Sequence, residues 1–312
     1  MLGPAAVILL TVVLVLATRW GAVTASQPAY LATLLLAGAV SVVGIAWSLV
    51  DVGRARARDE ARPRPRPRVV AVRVLGIAGT VLLVAALVWL RPLPATAVAE
   101  AAMSGTPAVR VVDATSRIDL VPTGHAAATG LVFFPGALVD PRAYVPLLTS
   151  LAAHGFPVVV VKPPYGIAFL AAGAPSGIIA DDPSVTRWVI GGHSLGGTVA
   201  AIEADSHDDD AVAPAVGLLL YASYPATDMS SSLRASVLSV SGTLDGLATP
   251  AKIDASRPTL PQSSVFVAIE GAVHAYFGDY GEQPGDGTPT ISHDDARRQI
   301  SAKTLTYVDG LD

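Results

Sequence analysis

The N-terminal third of the chain carries three apolar runs with no internal charge: "LGPAAVILLTVVLVLAT" (Leu2 to Thr18), "YLATLLLAGAVSVVGIAWSLV" (Tyr30 to Val50) and "VLGIAGTVLLVAALVWL" (Val74 to Leu90). Hydrocarbon offers the backbone no hydrogen-bond partner. A segment that crosses it must therefore be helical, with about 20 apolar residues and a lower limit near 17. The second run exceeds that length, and the first and third lie close to the limit. The chain is 52% hydrophobic and only 15% charged, against about a quarter charged in a soluble domain. The three runs account for the excess, so residues 1–90 are expected to be a transmembrane region of about three helices.

Between the second and third runs lies "DVGRARARDEARPRPRPR", residues 51–68, which holds Arg54, Arg56, Arg58, Arg62, Arg64, Arg66 and Arg68. A basic loop flanked by two spans belongs on the cytoplasmic side, where it also meets anionic lipid heads. The plainer reading is a disordered linker or a nucleic-acid patch, and the flanking runs argue against it. The Arg-Pro steps are expected to be extended. With this loop inside, Arg19 to Ala29 falls outside and everything after Arg91 is extracytoplasmic. The first run could serve as a signal peptide cleaved near Ala25. It lacks a basic n-region, so a retained span is the expectation.

The chain has no cysteine, which excludes disulfides, thiolate metal sites and a cysteine nucleophile. Its net charge of -4 averages the basic loop against an acidic C-terminal part, and that acidity argues against a nucleic-acid partner. "RPLPATAVAEAAMSGTP", residues 91–107, is small, Pro- and Gly-containing and without period. It reads as a flexible linker spanning roughly 20–25 Å.

From Ala108 the pattern changes. "VRVVDA" and "RIDLVP" read as two strands joined by a turn, and "GLVFFPG" as a third. "DPRAYVPLLTSLAAHG" is a helix with Asp140 as its cap and an apolar stripe of Tyr144, Leu147, Leu148 and Leu151. "FPVVVVK", "RWVIGG", "VGLLLYA", "ASVLSVSG" and "SSVFVAIEG" are further strands, with a helix from Ser194 to about Ala204 and a closing helix over 294–303. Strands alternating with helices indicate an α/β domain over 108–312, with a doubly wound, mostly parallel sheet. In such sheets the chemistry gathers at the carboxyl ends of the strands.

After "RWVI" come Gly191, Gly192, His193, Ser194, Leu195, Gly196 and Gly197. No Lys follows the last glycine, as a P-loop requires, and no register gives G-x-G-x-x-G. The stretch does match G-x-S-x-G between a strand and a helix, which holds a serine on a strained turn at a helix N-terminus. A serine needs a base, and His274 in "EGAVHAYFGD" stands after the last strand. The imidazole needs a carboxylate, and Asp245 in "GTLDGLATP" stands after the strand before it. The oxyanion needs two backbone donors. Leu195 is one, and the "FFPGALVDP" loop supplies Ala137, with Leu138 the next candidate.

Asp228 is a rival acid and His293 a rival base. His193 is expected to pack beneath the turn. Asp279 and Asp286 read as turn residues, and "SHDDD" as a solvated loop rather than a metal site. "KPPYGIAFLAAG" offers Tyr165, Ile167 and Phe169, with Leu138, as a substrate pocket, although core packing explains them equally well.

From about Ala108 onward the chain resembles the α/β-hydrolase superfamily, over about two-thirds of its length. "FPGALVDPRAY", "GGHSLGG", "GTLDGLATP" and "EGAVHAYFGDYG" are most similar to a compact bacterial serine-hydrolase branch of the dienelactone-hydrolase-like type. Dienelactone hydrolases themselves use a cysteine nucleophile where this chain has Ser194, so their substrate is not implied. The expectation is a membrane-anchored, outward-facing serine esterase that needs no metal or cofactor. Its partners would be a small or lipid-like ester and the lipid bilayer. Acyl transfer by the same triad, or an inactive interaction module, is the alternative.

Overall fold

A computed structural model describes residues 2–57 and 67–312. The chain divides into two compact units, Met1–Thr24 with Pro28–Pro92, and Ala25–Gln27 with Leu93–Asp312. The first unit consists of three helices: α1 (Leu2–Ala25), α2 (Ala29–Ala57) and α3 (Pro67–Trp89). Stretches of all three are long and apolar enough to cross a membrane: Gly3–Ala25, Ala29–Arg54 and Val70–Trp89, with mean hydropathies of 2.2, 2.1 and 2.3. Leu36, Trp47, Leu75 and Leu82 point outward and exposed, an arrangement suited to lipid and not to water. The hydroxyls of Thr11, Thr18, Ser41, Ser48 and Thr80 each donate to the carbonyl four residues back, so these polar groups are satisfied within their own helices.

The helices outrun the apolar runs. α1 continues past Arg19, whose φ of -133° kinks it, and ends at Ala25. α2 continues through Ala57, so the first seven residues of the expected Arg-rich loop are helical. Alanine and arginine favour a helix, and no proline interrupts them before Pro63. Pro67 opens α3, a position that costs proline nothing. The expected extended Arg-Pro segment, with Arg58, Arg62, Arg64 and Arg66, lies outside the described residues.

The second unit is built on one eight-stranded sheet. Its strands are β1 (Val109–Asp113), β2 (Arg117–Pro122), β3 (Thr129–Phe134), β4 (Val158–Val161), β5 (Arg187–His193), β6 (Ala215–Tyr221), β7 (Ser236–Gly242) and β8 (Val265–Ile269), in the order β1-β2-β4-β3-β5-β6-β7-β8. β1 and β2 form an antiparallel hairpin, β2 runs antiparallel to β4, and all other pairs are parallel. The continuous apolar strands follow from burial on both faces. Leu131, Phe133, Val158, Val160, Val189, Leu219, Leu238 and Val240 face one core, which α5 (Val145–Ala153), α8 (Pro250–Ser256, through Ile253) and α9 (His293–Asp309) cover. Val132, Phe134, Val159, Val161, Trp188, Ile190, Leu218 and Leu220 face the other, covered by α6 (Ala174–Asp181) and α7 (Leu195–His207).

The chain leaves β3 for β4 on one side, then returns to β5 on the other, so the order reverses between β3 and β5. A crevice forms outside the strand ends at such a reversal. The loop after β3 and the turn after β5 both open onto it.

The expected flexible linker is not a free coil. Leu93 N–H donates to the Leu138 carbonyl at 2.7 Å, Asp140 N–H donates to the Leu93 carbonyl at 3.0 Å, and Thr96 N–H donates to the Asp279 carbonyl at 2.8 Å. Thr96 then caps the short helix α4 (Ala97–Ala102). Its small residues let it lie flat against the loops after β3 and β8. α9 runs to Asp309, beyond the expected end at Lys303, because Thr304 and Val308 are buried and Tyr307 donates to the Ser236 carbonyl at 2.6 Å.

Candidate active site

β5 ends at His193, and Ser194 follows with φ 53° and ψ -124° before α7 begins at Leu195. A residue with a Cβ holds such a backbone only where its neighbours impose it. Here Ser194 N–H donates to the Tyr221 carbonyl at 3.0 Å, and its carbonyl accepts from Gly197 N–H at 3.0 Å. The same carbonyl accepts from the Ser223 hydroxyl at 2.6 Å. A Cβ on Gly192 would collide with the Gly196 backbone, and one on Gly196 with the carbonyls of Phe134 and Pro135. The two glycines are therefore a packing requirement, and they bring the start of α7 against the end of β3. Among the described residues four non-glycine positions have positive φ: Leu138, Tyr165, Ser194 and Ala222. They follow β3, β4, β5 and β6, at the same end of the sheet. Backbone strain of this kind gathers where a structure holds functional groups in place.

His274 and Asp245 are buried, and Nδ1 of His274 lies 2.8 Å from Oδ2 of Asp245. The other Asp245 oxygen accepts from the amides of Leu247 and Ala248, both at 2.7 Å, which fixes the carboxylate plane. Nε2 of His274 is buried without a partner. With its proton on Nδ1 toward the carboxylate, the ring has an unused base on the other side. Ser194 and His274 form no hydrogen bond in this structure, although the ring of His193, the residue before Ser194, packs 4.6 Å from the ring of His274. Nucleophile–base hydrogen bonds are often long before substrate binds.

In the loop after β3, Leu138 N–H donates to the Gly166 carbonyl at 2.8 Å, and Val139 N–H to the Gly136 carbonyl at 3.1 Å. Leu138 therefore has no amide to offer an oxyanion, which corrects its standing as the next candidate donor. The Ala137 amide makes no hydrogen bond to protein and the residue is exposed. Leu195 is the first residue of α7, where no intrahelical acceptor exists for its N–H. Two free donors thus stand at the β3 and β5 ends. Tyr165 and Ile167 are half-buried in the turns after β4. That segment touches the Ala137 loop through Gly166, and Phe169 beyond it is 46% exposed.

The rivals have other partners. Asp228 is exposed, and its hydrogen bonds to Ser230 hold its carboxyl below the usual range. His293 stacks on Tyr276 at 4.6 Å, with Nδ1 3.9 Å from Asp279. Burial lowers its pKa. Among the described residues no group of three or more His, Cys, Asp or Glu side chains is arranged to hold a metal.

Nothing in the sequence marks Asp286 as more than a turn residue. Its Oδ1 accepts from His274 N–H and Gly246 N–H, each at 3.1 Å, and its Oδ2 accepts from Ala275 N–H at 2.8 Å. One carboxylate thereby ties the loop of Asp245 to the loop of His274. Nothing local marks it, since its partners lie up to 40 residues away.

A family model described as the alpha/beta hydrolase family matches residues 130–298. No curated protein matches the sequence. Among solved structures, a membrane phospholipase A, a bacterial virulence factor, aligns with a TM-score of 0.50 at 15% identity, over 77% of this chain and 97% of its own. An esterase from the Planctomycetes species Thermogutta terrifontis, with butyrate bound, aligns with a TM-score of 0.46 at 15% identity, over 66% of this chain and 96% of its own. With the matched region running from β3 into α9 and spanning more than half of the sequence, the chain belongs to the alpha/beta hydrolase family.

Proposed function

We propose that the chain is a membrane-anchored serine hydrolase that cleaves an ester or related acyl bond, with its α/β unit on the extracytoplasmic side. Ser194 Oγ attacks the acyl carbon while Nε2 of His274 takes the hydroxyl proton. Asp245 holds Nδ1–H and stabilises the imidazolium. The negative charge that develops on the carbonyl oxygen is met by the Ala137 and Leu195 amides and by the N-terminus of α7. As the tetrahedral intermediate collapses, the ester C–O bond breaks. The Nε2 proton passes to the departing alkoxide, leaving an acyl-Ser194. Water then attacks with His274 again as base, and the acid leaves.

The observation that carries this reading is the buried His274, tied to Asp245 at 2.8 Å on one side and with an unpartnered Nε2 on the other. His193 and His293 also bury an unpartnered Nε2, but of these three rings His274 is the one whose Nδ1 is hydrogen-bonded to a carboxylate, the pairing a general base needs. The shared fold with a membrane phospholipase A agrees with an ester substrate met at a membrane. The test is turnover of short p-nitrophenyl esters by the purified full chain in detergent. Ser194→Ala is expected to lower kcat by about 10⁴-fold or more, and His274→Ala comparably. A Ser194→Ala variant that keeps the wild-type rate would refute the assignment.

A further inference from the structure

Tyr144 belongs to the apolar stripe of the segment after β3, and its ring fills the core like any aromatic there. A phenylalanine would fill the same space, whereas a buried hydroxyl is costly unless it is fully partnered. The Tyr144 hydroxyl is fully buried and has two partners. Gly136 N–H donates to it at 2.8 Å, and Nδ1 of His193 lies 2.9 Å from it. With the amide donating to the oxygen, the arrangement that leaves no phenol proton unpartnered sends that proton to Nδ1. His193 then carries its proton on Nε2 and is neutral. Burial pushes the His193 imidazole well below its usual range and the Tyr144 phenol well above, which keeps both neutral.

The two residues held by this hydroxyl each precede a group of the candidate site. Gly136 comes before Ala137, and His193 before Ser194. A Cβ on Gly136 would sit 2.8 Å from Nδ1 of His193 and 3.1 Å from the Tyr144 hydroxyl, so the backbone there is fitted against the pair. The Gly136 carbonyl is pinned by Val139 N–H at 3.1 Å. The peptide unit is planar and trans, so the Ala137 N–H must point the opposite way from that carbonyl. The ring of His193 also lies 4.6 Å from the ring of His274 and 6.0 Å from that of Phe277.

We propose that Tyr144 and His193 are positioning residues. Through one hydroxyl they lock the β3 loop to the Ser194 turn and so aim the Ala137 amide at the oxyanion. The proposal rests on the serine-hydrolase reading above. A donor fixed before the reaction stabilises the transition state without reorganising, and a displacement of about 1 Å forfeits much of that gain.

The test uses the full chain in detergent, a p-nitrophenyl ester, and a trifluoromethyl ketone that forms a hemiketal oxyanion with the serine. The matching secondary alcohol, which forms none, is the control. Tyr144→Phe is expected to lower kcat by about 10–100-fold with KM within about twofold of wild type. The ketone should bind more weakly by a similar factor while the alcohol binds as before. His193→Gln keeps an acceptor for the phenol and should retain most of the activity, whereas His193→Leu should behave as Tyr144→Phe. That pair carries the test if Tyr144→Phe does not fold. Unchanged kcat and ketone affinity in Tyr144→Phe, or equal weakening of ketone and alcohol, would overturn the proposal and leave the hydrolase reading standing. A wild-type chain that forms no ketone adduct would overturn both.

Discussion

His193 carries the letter most easily mistaken for a catalytic base, and its surroundings remove it from that role. It is 1% exposed, and the titratable groups facing it are Tyr144, His274 and Tyr280. Burial, with a smaller contribution from His274, holds its pKa well below 6.5. In the unfolded chain the same imidazole takes up a proton as pH falls through about 6.5, whereas the folded one does not. The unfolded state therefore binds more protons in that window. Stability is fully present above about pH 6.5 and is lost as pH falls from there toward the depressed folded value. The thermal midpoint of the wild type should fall between pH 8 and pH 5, and His193→Gln should flatten part of that fall. Burial of His293 acts in the same direction in both proteins, so the difference isolates His193. Parallel midpoint–pH curves for the two would contradict the buried neutral state. The placement of Ser194, Asp245 and His274 in turns after β5, β7 and β8 was legible in the sequence because each turn follows a continuous apolar strand. Tyr144 and Asp286 could not, because their partners come from other strand ends and only the fold brings them together.

At the scale of elements, the parallel strands were legible because burial on both faces leaves continuous apolar runs such as "PVVVVK". The hairpin of β1 and β2 was legible from its turn. The segment 91–107 misled. Small residues with Pro and Gly resemble a coil, yet Leu93 and Thr96 pair with backbone at Leu138, Asp140 and Asp279, none of it close in sequence. The end of α9 misled for the same reason, since its last turn is held by Tyr307 on the carbonyls of Leu218 and Ser236. The three membrane-capable helices needed no tertiary information, because length and hydropathy alone specify them. The orientation we propose for them rests on the arginines of residues 51–68. A reporter enzyme active only outside the cytoplasm, fused after Asp312, should be active in cells, and its cytoplasm-only counterpart silent. The reverse pattern would contradict the outward orientation.

At the scale of the whole molecule, an α/β-hydrolase unit shares one chain with three helices able to cross a bilayer. The reversal of strand order between β3 and β5 sets the free amides of Ala137 and Leu195 at adjacent strand ends. β7 and β8 bring Asp245 and His274 to the same end of the sheet. We propose that this arrangement makes Ser194 a nucleophile, and covalent capture is the test. The purified full chain is incubated with a fluorophosphonate, digested, and the modified peptide identified by mass spectrometry. The adduct is expected on Ser194, at one per chain, and should be lost in Ser194→Ala and strongly slowed in His274→Ala. No adduct on the wild type, or an equal yield from Ser194→Ala, would contradict it.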